Sequence, residues 1–372
     1  MARHDLLPTT YVPLEKGLSL GSDSYTTVDP NVTAMRGIKI VNPPPSFLPF
    51  LVYEYGLGEL TPYVPNLYEL IEEGIDWQRV RGTRAAVAKA LGWLGYAAGI
   101  EEFSVSRQHW NYFQLALTSI VEGDANLHRI EGVTGLSVPL RSVFWRAFAG
   151  YDVRAMEYGR GRWGSKLWGS YSGRRVAPGQ AKWSFGRRTD IAHAMQPSEL
   201  QALGVWIAPA GAALTWGAFP WTSVPWTASG ALARSVAMLE ATMALIAGKP
   251  AWAVFLNAAG EVIGYRRARA RWPVAQAING IYRVNSTRYA IKPEAATILY
   301  LEAMTGFGDG FGTTATEVGF ILGSQPAAGS PAGALWLPPG GLAEPGPIVA
   351  RRSITIPFQR TVRERICAVL RF

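Results

Sequence analysis

Pro43-Pro44-Pro45-Ser46-Phe47-Leu48-Pro49-Phe50-Leu51 opens, and Arg81-Gly82-Thr83-Arg84-Ala85-Ala86-Val87-Ala88-Lys89-Ala90-Leu91-Gly92-Trp93-Leu94-Gly95-Tyr96 closes, a stretch that reads as two short helices after a proline-rich lead-in. Asn66 is a favoured N-cap, and Glu69 stands at the third helical position, where its carboxylate can reach back to the cap N–H. Leu67, Leu70, Ile71 and Ile75 then fall near one face of a 3.6-residue period. Thr83 caps a second helix on which Val87, Leu91 and Leu94 recur at helical spacing, and Gly95 is placed to end it. The expectation is a compact helix pair joined at Gly82.

These residues resemble the tail protein I family of contractile-tailed bacteriophages, a component of the baseplate wedge. The likeness lies in Phe47, Leu48, Pro49, Phe50, Leu51, Tyr53 and Glu54, a polar helix, and then Gly82-Thr83, Ala86, Ala90-Leu91 and Leu94-Gly95. The resemblance implies a structural protein, not an enzyme, located in the virion tail baseplate after synthesis in the host cytoplasm. It further implies assembly in multiple copies with a larger J-type baseplate wedge protein and with other baseplate and hub proteins. A tail fibre or fibre adaptor would attach through the distal part, so that fibre engagement is transmitted to baseplate rearrangement and sheath contraction.

The chain has 372 residues, 48% of them hydrophobic, which is enough for two or three cores and excludes general disorder. Forty Gly and 25 Pro against 17% charged residues point to many turns and short strands. Cys367 is the only cysteine, so no intrachain disulfide forms, and folding in the cytoplasm is the natural reading. No signal peptide is expected from Met1-Ala2-Arg3-His4-Asp5 onward. The apolar stretch 231–247 carries Arg234 and Glu240 and reads as a buried helix, so no membrane partner is expected.

The fold class expected is α+β: a mainly helical N-terminal domain followed by a β-rich, Trp/Gly/Pro-rich region with at least one packed helix. Residues 1–42, broken by Pro8, Pro13 and Pro30, read as an extended arm that needs a partner to lie on. Residues 43–150 form the helical domain similar to tail protein I, and its last helix is expected to open at Ser137-Val138-Pro139 and to stack Leu140, Phe144 and Phe148. Residues 151–200 are a basic aromatic β/loop segment, with a strand over 151–158, and residues 201–372 an α+β domain. In that last domain Ser229 caps a helix with Leu232, Val236, Leu239, Met243 and Ile246 on one face. Hairpins are expected at 251–256 with 261–266 and at 281–284 with 288–291, and strands at 317–322 and 348–356. Glycine- and proline-rich loops fill 306–312 and 325–347.

Two short motifs fail on context. Gly17-Leu18-Ser19-Leu20-Gly21 matches the nucleophile elbow, with Asp190 and His193 downstream, but sixteen residues cannot supply the sheet such an elbow needs. Gly159-Arg160-Gly161-Arg162-Trp163-Gly164 matches a dinucleotide fingerprint but is followed by no helix pattern. His4, His109, His128 and His193 have no close-spaced partners, so neither a metal nor a cofactor is expected. The acidic pairs Glu72-Glu73 and Glu101-Glu102 are the remaining material for a glycosidase, and no catalytic residue is assigned.

Charge concentrates between 159 and 189, where eight basic residues and no acid account for nearly all of the net +9. Arginines interleaved with Trp163, Trp168, Tyr171, Trp183 and Phe185 suit a protein docking surface, since Trp, Tyr and Arg dominate interface hot spots. The same residues also suit a single-stranded nucleic acid. Docking is favoured, with Trp163, Trp168, Arg174, Arg175, Trp183, Arg187 and Arg188 as the partner-binding set. Arg266, Arg267, Arg269 and Arg271 read as the exposed face of a strand. The alternatives to a structural wedge subunit are a tail-associated cell-wall or polysaccharide hydrolase and a nucleic-acid-binding protein.

Overall fold

Pro13 sets φ for the first turn of α1 (Pro13–Gly21), and the Glu15 carboxylate accepts the Val12 N–H at 3.0 Å. The computed structural model describes residues 7, 10–24, 28–32, 35, 43–102, 109–154, 170–209, 230–331 and 333–372. The expected extended arm therefore contains a helix, and Gly17-Leu18-Ser19-Leu20-Gly21 lies within it instead of at a strand-to-helix turn. No α1 residue is buried, and Leu14 and Leu18, one helical turn apart, stand exposed.

The chain divides into two compact units, the first being Met1–Gly95 with Gly132–Pro139. After a 3-10 turn at Pro45–Phe47 come α2 (Leu48–Glu54), α3 (Leu67–Val80) and α4 (Arg84–Trp93). Both expected caps form: Asn66 Oδ1 accepts the Tyr68 N–H at 3.1 Å, and Thr83 Oγ1 accepts the Ala86 N–H at 3.4 Å. Between α3 and α4 Gly82 takes φ +84°, a left-handed turn that suits glycine, and its N–H donates to the Ser137 carbonyl. Leu51, Leu57, Leu60, Leu70 and Leu91 fill the interior. Trp77 and Trp93 meet at 6.2 Å, and Trp77 Nε1–H donates to Ser137 Oγ at 3.0 Å. Asn66→Ala is expected to cost about 1 kcal/mol, read as a lower urea midpoint with an unchanged m-value.

The second unit is Tyr96–Glu131 with Leu140–Phe372. Its elements are β1 (Ala98–Glu102), β2 (Tyr112–Leu117), α5 (Asp124–Ser137, whose last residues belong to the first unit), β3 (Val143–Gly150), β4 (Arg174–Arg175), β5 (Lys182–Ala194), α6 (Pro197–Ala202) and α7 (Gly230–Ala247). Then come β6 (Ala251–Leu256), β7 (Val262–Gln276), β8 (Tyr282–Val284), β9 (Thr287–Ile291), β10 (Ile298–Met304), β11 (Thr314–Leu322), β12 (Trp336–Leu337), β13 (Val349–Pro357) and β14 (Val362–Arg371). One mixed sheet runs in the order β1-β2-β3-β5-β14-β10-β7-β6-β11-β13, parallel from β2 through β3 and β5 to β14 and antiparallel elsewhere. The fold class is α+β, with helices concentrated toward the N-terminus.

The expected helix over 137–150 is a correction, because α5 ends at Ser137 and 143–150 is strand β3. Pro139, read as an opening residue, stands two positions past the helix, where proline equally marks a stop. The four-residue spacing of Phe144 and Phe148 is overridden by parallel pairing of β3 with β2 and β5. Residues 98–102, 112–117 and 143–150 thus make part of the supposedly helical domain a sheet. Residues 151–154 are not strand, and the rest of the expected 151–158 strand lies outside the described residues.

The hairpin β6–β7 forms with register Trp252↔Arg267, and β8–β9 with Arg283↔Arg288, as the sequence leads one to expect. Alternation along β14 buries both faces: Ile366, Ala368 and Leu370 join the core that includes Met238, Leu239 and Ile246 of α7, while Cys367 and Val369 pack with Tyr289 and Tyr300. By length and composition α7 is apolar enough to cross a membrane, but Ala233, Val236, Met238, Leu239 and Ile246 are buried within the unit. Ser229 and Trp216, Trp221 and Trp226 lie outside the described residues. The Cys367 thiol is buried and unbridged, and burial pushes its pKa up.

Candidate partner-binding region and its buried anchor

A shift in register between Phe113/Gln114 sets Phe113 opposite Phe144 but Gln114 opposite Arg146, leaving Trp145 as the extra residue of a bulge in β3. Downstream of the bulge, β3 pairs Arg146 with Lys182 and Phe148 with Ser184 on β5. Gly150 and Gly186 let the two backbones close: a Cβ on Gly186 would stand 1.9 Å from the Tyr151 carbonyl oxygen. The chain leaves the sheet there.

Arg146, fully buried, organises the region around this exit from the sheet. Its Nε–H donates to the Ser172 carbonyl at 2.9 Å, its Nη1–H to Gln114 Oε1 at 3.0 Å, and its Nη2–H to Asp152. Asp152 Oδ1 also lies 2.9 Å from the Ser172 hydroxyl and 2.8 Å from that of Ser184. Ser172 N–H donates to the Val153 carbonyl, and Val153 N–H to Ser172 Oγ, so the stretches on either side of 155–169 are stitched together. Burial pulls the Arg146 guanidinium below its ordinary pKa, opposed by the Asp152 charge, and likewise lowers the Lys182 ammonium, with Arg146 adding to that effect.

Aromatic rings extend the anchor. Arg146 stacks on Phe148 and Tyr171, Arg154 on Phe148, and Arg363 on Phe307 at 4.6 Å, while Tyr151 lies between Arg363 and Arg365. This interleaving of arginine and aromatic residues serves cohesion inside the unit as much as it would serve a surface.

Trp163 and Trp168 lie outside the described residues, as does the 159–164 glycine motif. Trp183 is a correction: it is fully buried, edge-on to Phe144 at 5.8 Å, because strand alternation places it with Phe185 on a covered face. It therefore contributes no surface to a partner. Arg174 and Arg175 are exposed on β4, donating to the Phe307 and Gln180 carbonyls at 3.1 and 2.9 Å. Arg188 is spent on Asp190 at 2.7 Å and on the Arg283 carbonyl. Arg187 divides itself between Glu122 at 3.0 Å and Glu364 at 3.6 Å.

Glu364 is 1% exposed and neither carboxylate oxygen has a hydrogen-bond partner. Burial pushes its pKa up to about 7, against the pull of Arg187 and with a further push from Glu122. Arg266, expected on an exposed strand face, is buried and pairs with Asp309 at 2.8 Å. Asp309 also accepts the Gly306 N–H at 2.6 Å, which fixes the glycine-rich 306–312 loop.

Other candidates for chemistry have structural partners. Glu73 pairs with Lys89 at 2.8 Å, Glu101 with Arg154 at 3.0 Å, and His193 with Glu199 at 2.7 Å, while Asp190 accepts the Asn285 N–H. Among the described residues no group of three or more His, Cys, Asp or Glu comes together as a metal cage. Sequence reasoning passed over Arg146, Asp152, Ser172, Ser184 and Glu364. The one available signal was Arg363-Glu364-Arg365 interrupting an apolar strand pattern.

Two family models match this chain, each over about a third of it, and both describe components of bacteriophage tails and baseplates. Residues 7–137 match Phage tail protein (Tail_P2_I), and residues 257–372 match Baseplate wedge 3 tail fiber network component. The first match agrees with the resemblance read at 43–96 and reaches beyond it in both directions. The second covers a region in which no motif had pointed to any family. No curated protein matches the sequence.

Proposed function

We propose that this protein is a non-enzymatic baseplate wedge subunit that links the wedge core to tail fibres or other peripheral parts. The observation that carries the reading is the pair of family matches on one chain, a tail-protein match over 7–137 and a tail-fibre-network match over 257–372. The N-terminal unit would assemble with a larger J-type wedge protein, several copies surrounding the hub, and the strand-rich unit would face a fibre or fibre adaptor. Fibre engagement would then be passed to baseplate rearrangement. The exposed Leu14 and Leu18 of α1 support an arm laid on a neighbour, and the exposed Arg174 and Arg175 support docking at β4.

The test is co-expression with the gene products encoded beside it, followed by the mass and composition of what co-purifies through size exclusion at moderate salt. A complex of defined stoichiometry containing a large wedge-like protein is the expected result. A monomer that ignores those neighbours overturns the reading, and activity on peptidoglycan or polysaccharide would replace it with the hydrolase alternative. Removal of residues 1–42 is expected to weaken wedge assembly; unchanged assembly would remove the arm from the scheme.

A further inference from the structure

We infer that the outer face of the β8–β9 hairpin, with the turn before it, docks an extended segment of a partner protein that carries carboxylates beside apolar side chains. The inference deepens the wedge reading and rests on it for the partner's identity, though not for its chemistry.

Arg283 and Arg288 stand directly opposite each other across the hairpin, both exposed. Like charges facing each other on paired strands destabilise the pair, so an isolated hairpin would do better without them. Arg283 Nε–H donates to the Asn285 carbonyl at 2.8 Å, whereas the Arg288 side chain has no hydrogen bond or ion pair among the described residues. The nearby acid, Asp190, is already divided between Arg188 and the Asn285 N–H at 2.7 Å each. An anion from outside is what the pair lacks.

The platform under these arginines is rigid. Tyr282 and Tyr289 turn inward, Tyr289 fully enclosed and Tyr282 with its ring 4.6 Å from that of Tyr300. Strand β9 is paired on its other side with β7, and Arg188 binds the Arg283 carbonyl from β5. Ordering cost at binding is therefore small on this side of the interface.

Beside Arg288 lies an open groove of about 370 Å³, lined by Gln276, Ala277, Ile278, Ser286, Thr287 and Arg288. Ile278 is 94% exposed and Ile281, just before β8, is 66% exposed. Cation, amide, hydroxyls and bare isoleucine in one concavity match a peptide whose acidic residue is followed by an apolar one. A nucleic acid fits less well, because the aromatic residues of the hairpin face inward and leave no ring for base stacking.

The experiment measures binding of a fluorescein-labelled peptide of alternating Glu and Leu to the full-length protein by anisotropy, beside the same peptide with Gln for Glu and a single-stranded oligonucleotide. The Glu peptide is expected to bind, R283A/R288A to weaken it at least ten-fold, and I278S to weaken it several-fold. The Gln peptide is expected to bind at least ten-fold more weakly, and R352A/R371A, which removes the same charge at two other exposed positions, to leave binding unchanged. Equal binding by R283A/R288A, equal loss in R352A/R371A, or displacement of the peptide by the oligonucleotide overturns the inference. In the co-purification experiment, wild type and R283A/R288A retaining the same baseplate partners would sink the inference and leave the wedge role standing. Loss of all partners by wild type sinks the wedge role alone, since the peptide measurement still decides the docking face.

Discussion

Arg146→Met is expected to destabilise the strand-rich unit by about 3–5 kcal/mol, the usual cost of removing one partner from a buried ion pair. The guanidinium satisfies Asp152, the Ser172 carbonyl and Gln114 Oε1 at once, in a site where Gln114 and Ser172 are buried and the Asp152 side chain is only 7% exposed. Deleting it leaves a carboxylate and two carbonyl acceptors in a low-dielectric site. Loss is expected to appear first as faster amide hydrogen exchange at 151–154 and 170–173, the stretches that the network stitches together. Because the two partners act through one network, R146M/D152N is expected to cost less than the sum of its single variants. An unchanged denaturant midpoint in R146M would show that the network contributes nothing to stability.

Glu364→Gln is expected to do the opposite, by an amount that grows as pH rises from about 4.5 to about 7. The carboxyl is buried without a hydrogen bond, and burial raises its pKa from the ordinary 4.5 to about 7. Between those two values the folded protein holds a proton that the unfolded chain has released, so its stability falls as pH rises through that window. Fully ionised, the group costs about 3 kcal/mol relative to its protonated form. At pH 8 the amide variant is expected to exceed wild type by an amount of that order, and at pH 4.5 the two are expected to converge. Arg187 keeps its 3.0 Å contact with Glu122 in either case. Denaturation curves of the two proteins that stay parallel from pH 4.5 to 8 would mean that Glu364 is ionised throughout, its charge balanced by Arg187.

Both predictions concern residues that no reading of the sequence singled out. Arg146 lies 32 positions from Gln114 and 26 from Ser172, and Arg266 lies 43 from Asp309, so nothing within a helical turn or a strand repeat of either arginine announces its partner. In sequence such arginines look like solvated charge. Trp183 misled in the same way, since an aromatic residue among arginines fits a surface until strand alternation is known in three dimensions.

What the sequence determined by itself was local or patterned. Asn66 and Thr83 cap their helices because a side-chain oxygen needs only the next two or three N–H groups. Asn285-Ser286 and Asn257-Ala258-Ala259-Gly260 turn their hairpins for equally short-range reasons, and the 43–96 phrase carried the bacteriophage tail resemblance that the family match over 7–137 bears out. Tertiary structure alone decided that Phe144 and Phe148 belong to a strand, that Arg146 and Arg266 lie inside, and that Glu364 is a buried carboxyl without a hydrogen bond. The physical reason is range: caps and turns are settled by neighbours along the chain, whereas burial, charge compensation and sheet register depend on segments that only folding brings together.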